Sequence, residues 1–135
     1  MSDIEFSILP PDCRPLLDKF YRAHRSQMRS SSTAQSWVAR RQDIVGALSL
    51  TPVEGGYWLT GLFVAPEWRN HAIARQLMRH AMNTLSVPVW LFCHPDLQGF
   101  YEASGFTSAG PLPQSLGEKL MRYGRNKPLV ALVRT

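Results

Sequence analysis

The sequence predicts a mixed α/β (α+β) fold, a mostly antiparallel sheet with one central parallel strand pair, and helices flanking it. Three observations carry this. Apolar strands separated by tight polar turns run from Ser36 to Val64, an apolar strand feeds an amphipathic helix after Pro66, and that helix leads into a second apolar strand at Val87. A strand-helix-strand crossover returns parallel, whereas strands joined by short turns return antiparallel. With 135 residues, the chain is the size of one domain, 1–135, long enough to bury a core without staples.

The elements follow in order. Ile4 to Leu9 reads as a strand, and Pro10-Pro11-Asp12 opens a helix with the apolar stripe Leu16, Leu17, Phe20 and Tyr21, fading near Ser26. Ser30 to Thr33 is a polar loop. Ser36 to Arg40 and Ile44 to Thr51 form a strand pair around Arg41-Gln42-Asp43, and Tyr57 to Val64 is the next strand after Glu54-Gly55-Gly56. A helix from about Asn70 to Leu85 seats Ile73, Leu77, Met78, Ala81 and Leu85 on the sheet. The strand Val87 to Cys93, a short helix Leu97 to Ser104, a strand Phe106 to Gly110, a helix Gln114 to Tyr123 with Leu116, Leu120 and Met121 on its apolar side, and a strand Leu129 to Val133 complete the chain.

Composition narrows the function. Hydrophobic residues at 44% and charged ones at 19% suit a water-soluble globule. No apolar run approaches the roughly 20 residues that span a bilayer, and Met1-Ser2-Asp3-Ile4-Glu5 lacks the basic-then-apolar order of a signal peptide, so a cytoplasmic protein without a membrane partner is expected. Cys13 and Cys93 show no metal-ligand spacing and read as reduced, buried thiols. The net charge of +5 favours an anionic partner. Basic residues cluster at Arg22, Arg25 and Arg29, at Arg40 and Arg41, and at Arg122, Arg125 and Lys127; without zinc-finger, helix-turn-helix or RNA-binding aromatic signatures, they argue more for a basic surface than for nucleic acid.

The most informative stretch is Leu62-Phe63-Val64-Ala65-Pro66-Glu67-Trp68-Arg69-Asn70-His71-Ala72-Ile73-Ala74-Arg75. An apolar strand, a basic turn with small residues and the free amides of a helix start make a cradle for an anion such as pyrophosphate. Arg69 and Arg75 add charge, and Ala72 and Ala74 allow close approach. An ordinary strand-turn-helix crossover would use similar residues. The stretch resembles the acyl-CoA-binding motif of the GCN5-related N-acetyltransferase (GNAT) superfamily, in which a strand ending Val-x-Pro precedes Arg/Gln-x-x-Gly-x-Gly/Ala. Arg69, Ala72 and Ala74 fall on its defined positions, with Ala72 where the family usually has glycine. A second block, His94 to Phe106, is similar to the family's Asn-x-x-Ala-x-x-Phe-Tyr-x-x-x-Gly-Phe: Phe100, Tyr101, Gly105 and Phe106 match, while His94 and Leu97 replace asparagine and alanine.

The resemblance implies a GNAT-like fold and an N-acetyltransferase that moves an acetyl group from acetyl-CoA, without a metal, to a primary amine of a small molecule or peptide. It places the acyl arm between the ends of the splayed strands, at Leu62-Phe63-Val64 and Phe92-Cys93-His94, with a backbone N–H near Phe63 holding the thioester carbonyl. Coenzyme binding would then fall to Leu62, Phe63, Val64, Arg69, Asn70, His71, Ala72, Ile73, Ala74, Arg75 and His94. Tyr101 takes the family's general-acid position, with Phe100 packed inward and Tyr101 turned about 100° toward the cleft. The family's glutamate position holds Trp58, leaving Glu54, His94, Glu102, Glu118 or a water chain as routes for the ammonium proton. The acceptor side would be lined by Arg22 to Gln35, Val53 to Tyr57 and Pro111 to Lys127, with Tyr21, Trp37, Tyr57 and Trp58 as an aromatic wall or as core. The altered motif positions also fit a non-catalytic acyl-CoA sensor for a protein partner. A homodimer through a sheet edge is compatible with this layout.

Overall fold

A computed structural model describes residues 3–135; Met1 and Ser2, which entered the signal-peptide reading, lie outside the described residues. The expected fold class is present. Seven strands form one sheet in the order β1-β2-β3-β4-β5-β7-β6: β1 Glu5–Ile8, β2 Gln35–Arg40, β3 Ile44–Val53, β4 Gly56–Val64, β5 Val89–Cys93, β6 Thr107–Ser108 and β7 Val130–Arg134. Four helices accompany them, α1 Arg14–Ala23, α2 Ile73–Met82, α3 Gln98–Glu102 and α4 Gln114–Tyr123. No helix among the described residues is long and apolar enough to cross a membrane.

The chain divides into two compact units. The first comprises the chain to Leu50 together with Gly61–Thr84. Here β1 pairs antiparallel with β2, Phe6 opposite Ala39, and β2 pairs with β3, Val38 opposite Ala47 and Ala39 opposite Gly46. Because neighbouring side chains point to opposite faces, each face receives its own helix. Leu17, Phe20 and Tyr21 of α1 join Leu9, Val38, Ala47 and Ala65 in one buried cluster. On the other face, α2 buries Ile73, Leu77, Met78, Ala81 and Met82, and His80 stacks on Phe6 with ring centroids 4.7 Å apart. Gly46 makes room for the start of α2, since a Cβ there would lie 3.3 Å from Ile73 Cγ2.

Three expectations fail in this unit. Leu16 is 45% exposed, because Leu17, Phe20 and Tyr21 already fill the buried face of α1. The second helix starts at Ile73, not Asn70, and ends at Met82, leaving Leu85 outside it. Its start is delayed by left-handed backbone at Asn70 (φ 70°) and Ala72 (φ 58°). Cys13 is half-buried, not buried, and both cysteines are free thiols.

The second unit comprises Thr51–Thr60 and Leu85–Thr135. The parallel pairing appears here, Tyr57 with Val89 and Trp58 with Trp90. β5 lies antiparallel to β7 from Val89↔Arg134 to Cys93↔Val130, and β6 adds only Thr107 and Ser108 at the edge, shorter than the strand expected to Gly110. α4 buries Leu116, while Met121 is 73% exposed, against its expected place on the apolar side. Glu54 ties the start of α4 by accepting from the Ser115 amide (3.3 Å) and hydroxyl (2.8 Å).

Candidate functional site

In the first unit, β4 ends at Val64 and a turn of 3-10 helix, Pro66–Trp68, precedes α2. Between them the backbone alternates in handedness: Asn70 and Ala72 have positive φ, while His71 and Ile73 do not. Such alternation turns successive N–H groups to one side as an anion-binding nest. Asparagine tolerates this conformation; alanine adopts it at a cost of about 1–2 kcal/mol. Immediately after, Gln76 donates to Ala72 O at 3.0 Å, so the amides of Ile73, Ala74 and Arg75 form the first turn that α2 leaves without an internal acceptor. The nest and the helix start are consecutive.

The predicted side chains divide by role. Ile73 is buried in the core and offers only its backbone to a ligand; Asn70, His71, Ala72 and Arg75 are exposed, and Ala74 is half-buried. The ring of His71 lies 5.8 Å from that of Trp68. Arg69 is anchored as well as charged. Its Nε donates to Val64 O at 3.0 Å and its guanidinium lies 5.3 Å over the Phe63 ring, which also meets Phe20 and His24. Four of its five N–H donors remain for other partners. Ala65 N–H donates to Val45 O on β3, so by strand alternation the Phe63 N–H faces β3 too, and the N–H groups of Leu62 and Val64 point away from β3. The sequence argument looked for a carbonyl donor near Phe63, whose own N–H is turned to β3 while those of its two neighbours are not.

Tyr101 and His94 belong to the second unit. Phe100 is 39% exposed and Tyr101 half-buried, the reverse of the expected orientation. α3 has only five residues, and the Tyr101 ring packs edge-on to Phe106 at 6.0 Å, with the Phe106 amide closing on Tyr101 O at 3.3 Å. Burial, with a smaller contribution from the Cys93 thiol, pushes the Tyr101 phenol up to about 12. It is therefore protonated at neutral pH. Its hydroxyl donates to no other protein group among the described residues, leaving a proton free to give.

The groups proposed to take a proton are otherwise engaged. His94 caps the turn Pro95–Leu97: its Nδ1 accepts from the Asp96 amide at 3.1 Å, so the neutral ring carries its hydrogen on Nε2. Glu54 is held by Ser115, and those hydrogen bonds lower its carboxyl below the usual range. Sequence separation hid this tie. Glu102 accepts from Gln98 and Glu118 from Gln114, each at 3.4 Å. Trp58 lies under Lys119, whose Nζ is 5.2 Å from the ring, and its buried Nε1 has no partner among the described residues. Tyr21 is core, 1% exposed, not a wall residue. No group of His, Cys, Asp or Glu among the described residues could hold a metal ion.

The comparisons with known proteins agree with this architecture. Curated protein sequences give no match. A Staphylococcus aureus Mu50 acetyltransferase of the GNAT family superposes with a TM-score of 0.65 at 18% identity, over 97% of this chain and 98% of that one. Arabidopsis thaliana Naa50, solved with the bisubstrate analogue CoA-Ac-MVNAL, gives 0.73 at 13% identity over 99% of both chains. Neisseria gonorrhoeae N-acetylglutamate synthase, solved with coenzyme A and N-acetyl-glutamate, gives 0.73 at 15% identity over 99% of this chain and 35% of that one. At these identities the likeness is one of fold. The family itself is fixed by the sequence model of the acetyltransferase (GNAT) domain, which matches residues 32–108, more than half of the chain, and the protein therefore belongs to the GNAT acetyltransferase family.

Proposed function

We propose that the protein transfers an acetyl group directly from acetyl-CoA to a primary amine of a small molecule or peptide. The observation that carries this is the nest at Asn70–Ala72 running into the amides of Ile73–Arg75, which α2 leaves without an internal acceptor. Convergent N–H groups, the positive helix end and Arg69 suit a pyrophosphate, and the small exposed side chain of Ala72 lets it approach. The net charge of +5 draws such a polyanion in.

In the reaction the neutral amine nitrogen attacks the thioester carbonyl carbon, a C–N bond forms and the C–S bond breaks. The Leu62 and Val64 N–H groups, which face away from β3, are the donors available to the developing oxyanion. Tyr101 gives its proton to the departing thiolate, the nitrogen releases one to solvent, and the phenolate recovers its proton from solvent, so that the turnover leaves the site unchanged. The phenol holds its proton at neutral pH and so has one to give. His94 serves as a coenzyme contact through Nε2–H.

A second reading, an acyl-CoA sensor acting on a protein partner, is favoured by the engaged states of Glu54 and His94 and by Trp58. A thiol-release screen with acetyl-CoA against a panel of amines separates the two. Release with any amine supports the enzyme; none, with acetyl-CoA still raising the melting temperature, supports the sensor. Saturating acetyl-CoA at a hundredfold excess over its Kd should stabilise the fold by about 2.7 kcal/mol. Ala72→Glu should abolish that gain by placing bulk and negative charge at the cradle, and a folded variant that keeps it refutes the cradle.

A further inference from the structure

A groove of about 850 Å³ lies between the second half of α1 and the loop after it, lined by Asp18, Arg22, Ser26, Gln27, Met28, Arg29 and Ser30. Its walls are fixed at both ends. The helix closes with Arg25 in left-handed conformation (φ 55°), Arg25 N–H on Arg22 O (3.0 Å) and Ser26 N–H on Tyr21 O (2.9 Å), the paired bonds of a Schellman turn. At the far end Ser30 donates its amide and hydroxyl to the two oxygens of Asp18, at 2.8 and 3.0 Å. Between these anchors the Met28 amide donates to Ser26 Oγ.

The groove's charges are unequally satisfied. Asp18 is occupied by Ser30, whereas no carboxylate among the described residues lies within ion-pair distance of Arg22 or Arg29. Both guanidiniums are exposed on the groove. Two positive groups and one negative give the lining a formal +1, which matches a monoanion better than a dianion. The groove also reaches β4. Tyr21 Oη donates to Gly61 O at 2.8 Å, and Met28 Sδ lies 4.0 Å from where a Cβ on Gly61 (φ +69°) would sit, just before Leu62.

We propose that Arg22 and Arg29 grip a carboxylate of the acceptor, so that the substrates are amines bearing a carboxylate at a distance. Guanidinium forks bind carboxylates with charge-assisted, often bidentate hydrogen bonds. A groove anchored before the ligand arrives loses little freedom on binding. The proposal rests on the acetyltransferase reading and names the substrate class for it.

The test compares kcat/KM, by CoA release, for ω-amino acids of increasing length, n-alkylamines of matching length and the corresponding phosphorylated amino alcohols. The parent should prefer the amino acid by about tenfold or more at its best length, and Arg22→Gln and Arg29→Gln should each reduce that ratio about tenfold. The acetyl-CoA melting shift should persist in both, showing that they fold. Equal kcat/KM for amino acids and alkylamines, a preference that survives both substitutions, or a higher value for the phosphorylated series overturns the proposal. Should the parent turn over no amine, 4-acetamidobutanoate is titrated against backbone amide shifts: saturable changes over residues 18–30 that vanish in Arg22→Gln/Arg29→Gln support the groove, and their absence overturns it. Failure of acetyl-CoA itself to bind would instead refute the acetyltransferase reading.

Discussion

Replacing Ala72, the N-cap of α2, by glycine should stabilise this protein. Ala72 sits at φ 58°, ψ 23°, where a Cβ crowds the following carbonyl at a cost of about 1–2 kcal/mol. Glycine removes that cost but adds freedom to the unfolded chain, worth about 0.4–1 kcal/mol in the other direction. Ala72 is exposed, so deleting its methyl leaves no cavity to offset the gain. The net is about 0.5–1 kcal/mol of added stability, or a Tm rise of about 2–5 °C for a chain of this size. Thermal and urea unfolding of parent and Ala72→Gly, checked for an unchanged m-value, measure it. Ala72→Val makes the opposite probe, because a β-branched residue is least tolerant of positive φ. A glycine variant that loses stability, or a valine variant that gains it, would show that the backbone at 72 is right-handed and that there is no nest.

Tyr101→Phe keeps the ring and removes the acidic hydroxyl, so turnover should fall about 10²- to 10⁴-fold with acetyl-CoA affinity little changed; equal turnover removes Tyr101 from the mechanism. Tyr21→Phe should cost about 0.5–1.5 kcal/mol by leaving Gly61 O without its donor, read by urea unfolding at neutral pH. Burial raises both the Tyr21 and Tyr101 phenols above the ordinary value of 10.0, so their contribution is complete below pH 10 and declines as pH rises further toward the folded values. Parent stability should therefore drop more steeply above pH 10 than that of Tyr21→Phe. Glu54 behaves oppositely. Its lowered carboxyl contributes above 4.5 and is lost as pH falls through the folded value, so the Ser115 amide resonance should titrate with a midpoint below 4.5 and stop titrating in Glu54→Gln.

What the sequence revealed depended on how local each determinant was. α4 spans Gln114–Tyr123, the limits read in advance, because Pro113 and Gly124 punctuate both ends. The start of α2 was misplaced by three residues for the opposite reason: Asn70 hints at left-handed backbone, but alanine carries no such signal, and only the fold forces Ala72 into it. Helical periodicity showed that α1 and α4 have apolar stripes without showing how wide a stripe the sheet would accept. Leu16 and Met121 stand on the margins that remained outside. In a helix as short as α3, a 100° offset cannot decide which of two adjacent aromatics turns inward; Phe106, brought back by the turn at Gly105, decides it for Tyr101. The hydrogen bonds between Glu54 and Ser115 span 61 residues and leave no trace in either local sequence.

These engaged side chains bear on where the amine's proton goes. An acceptor ammonium has a pKa near 10, so at neutral pH only about one molecule in a thousand is reactive without help. A base would recover that factor, but Trp58 cannot accept a proton, Glu54 is a weakened base held by two hydrogen bonds, and the free lone pair of His94 Nδ1 is directed at the Asp96 amide. Glu54 or His94 would have to give up a partner before acting. The simplest outcome is that deprotonation occurs in solvent and the site selects the neutral amine, which makes the low-pH limb of kcat/KM a property of the substrate. Profiles for two amines of different pKa should then show limbs displaced by that difference, in the parent and in His94→Gln alike. A limb common to both amines and abolished by His94→Gln would mean that the Asp96 contact breaks during turnover and that the histidine is the base.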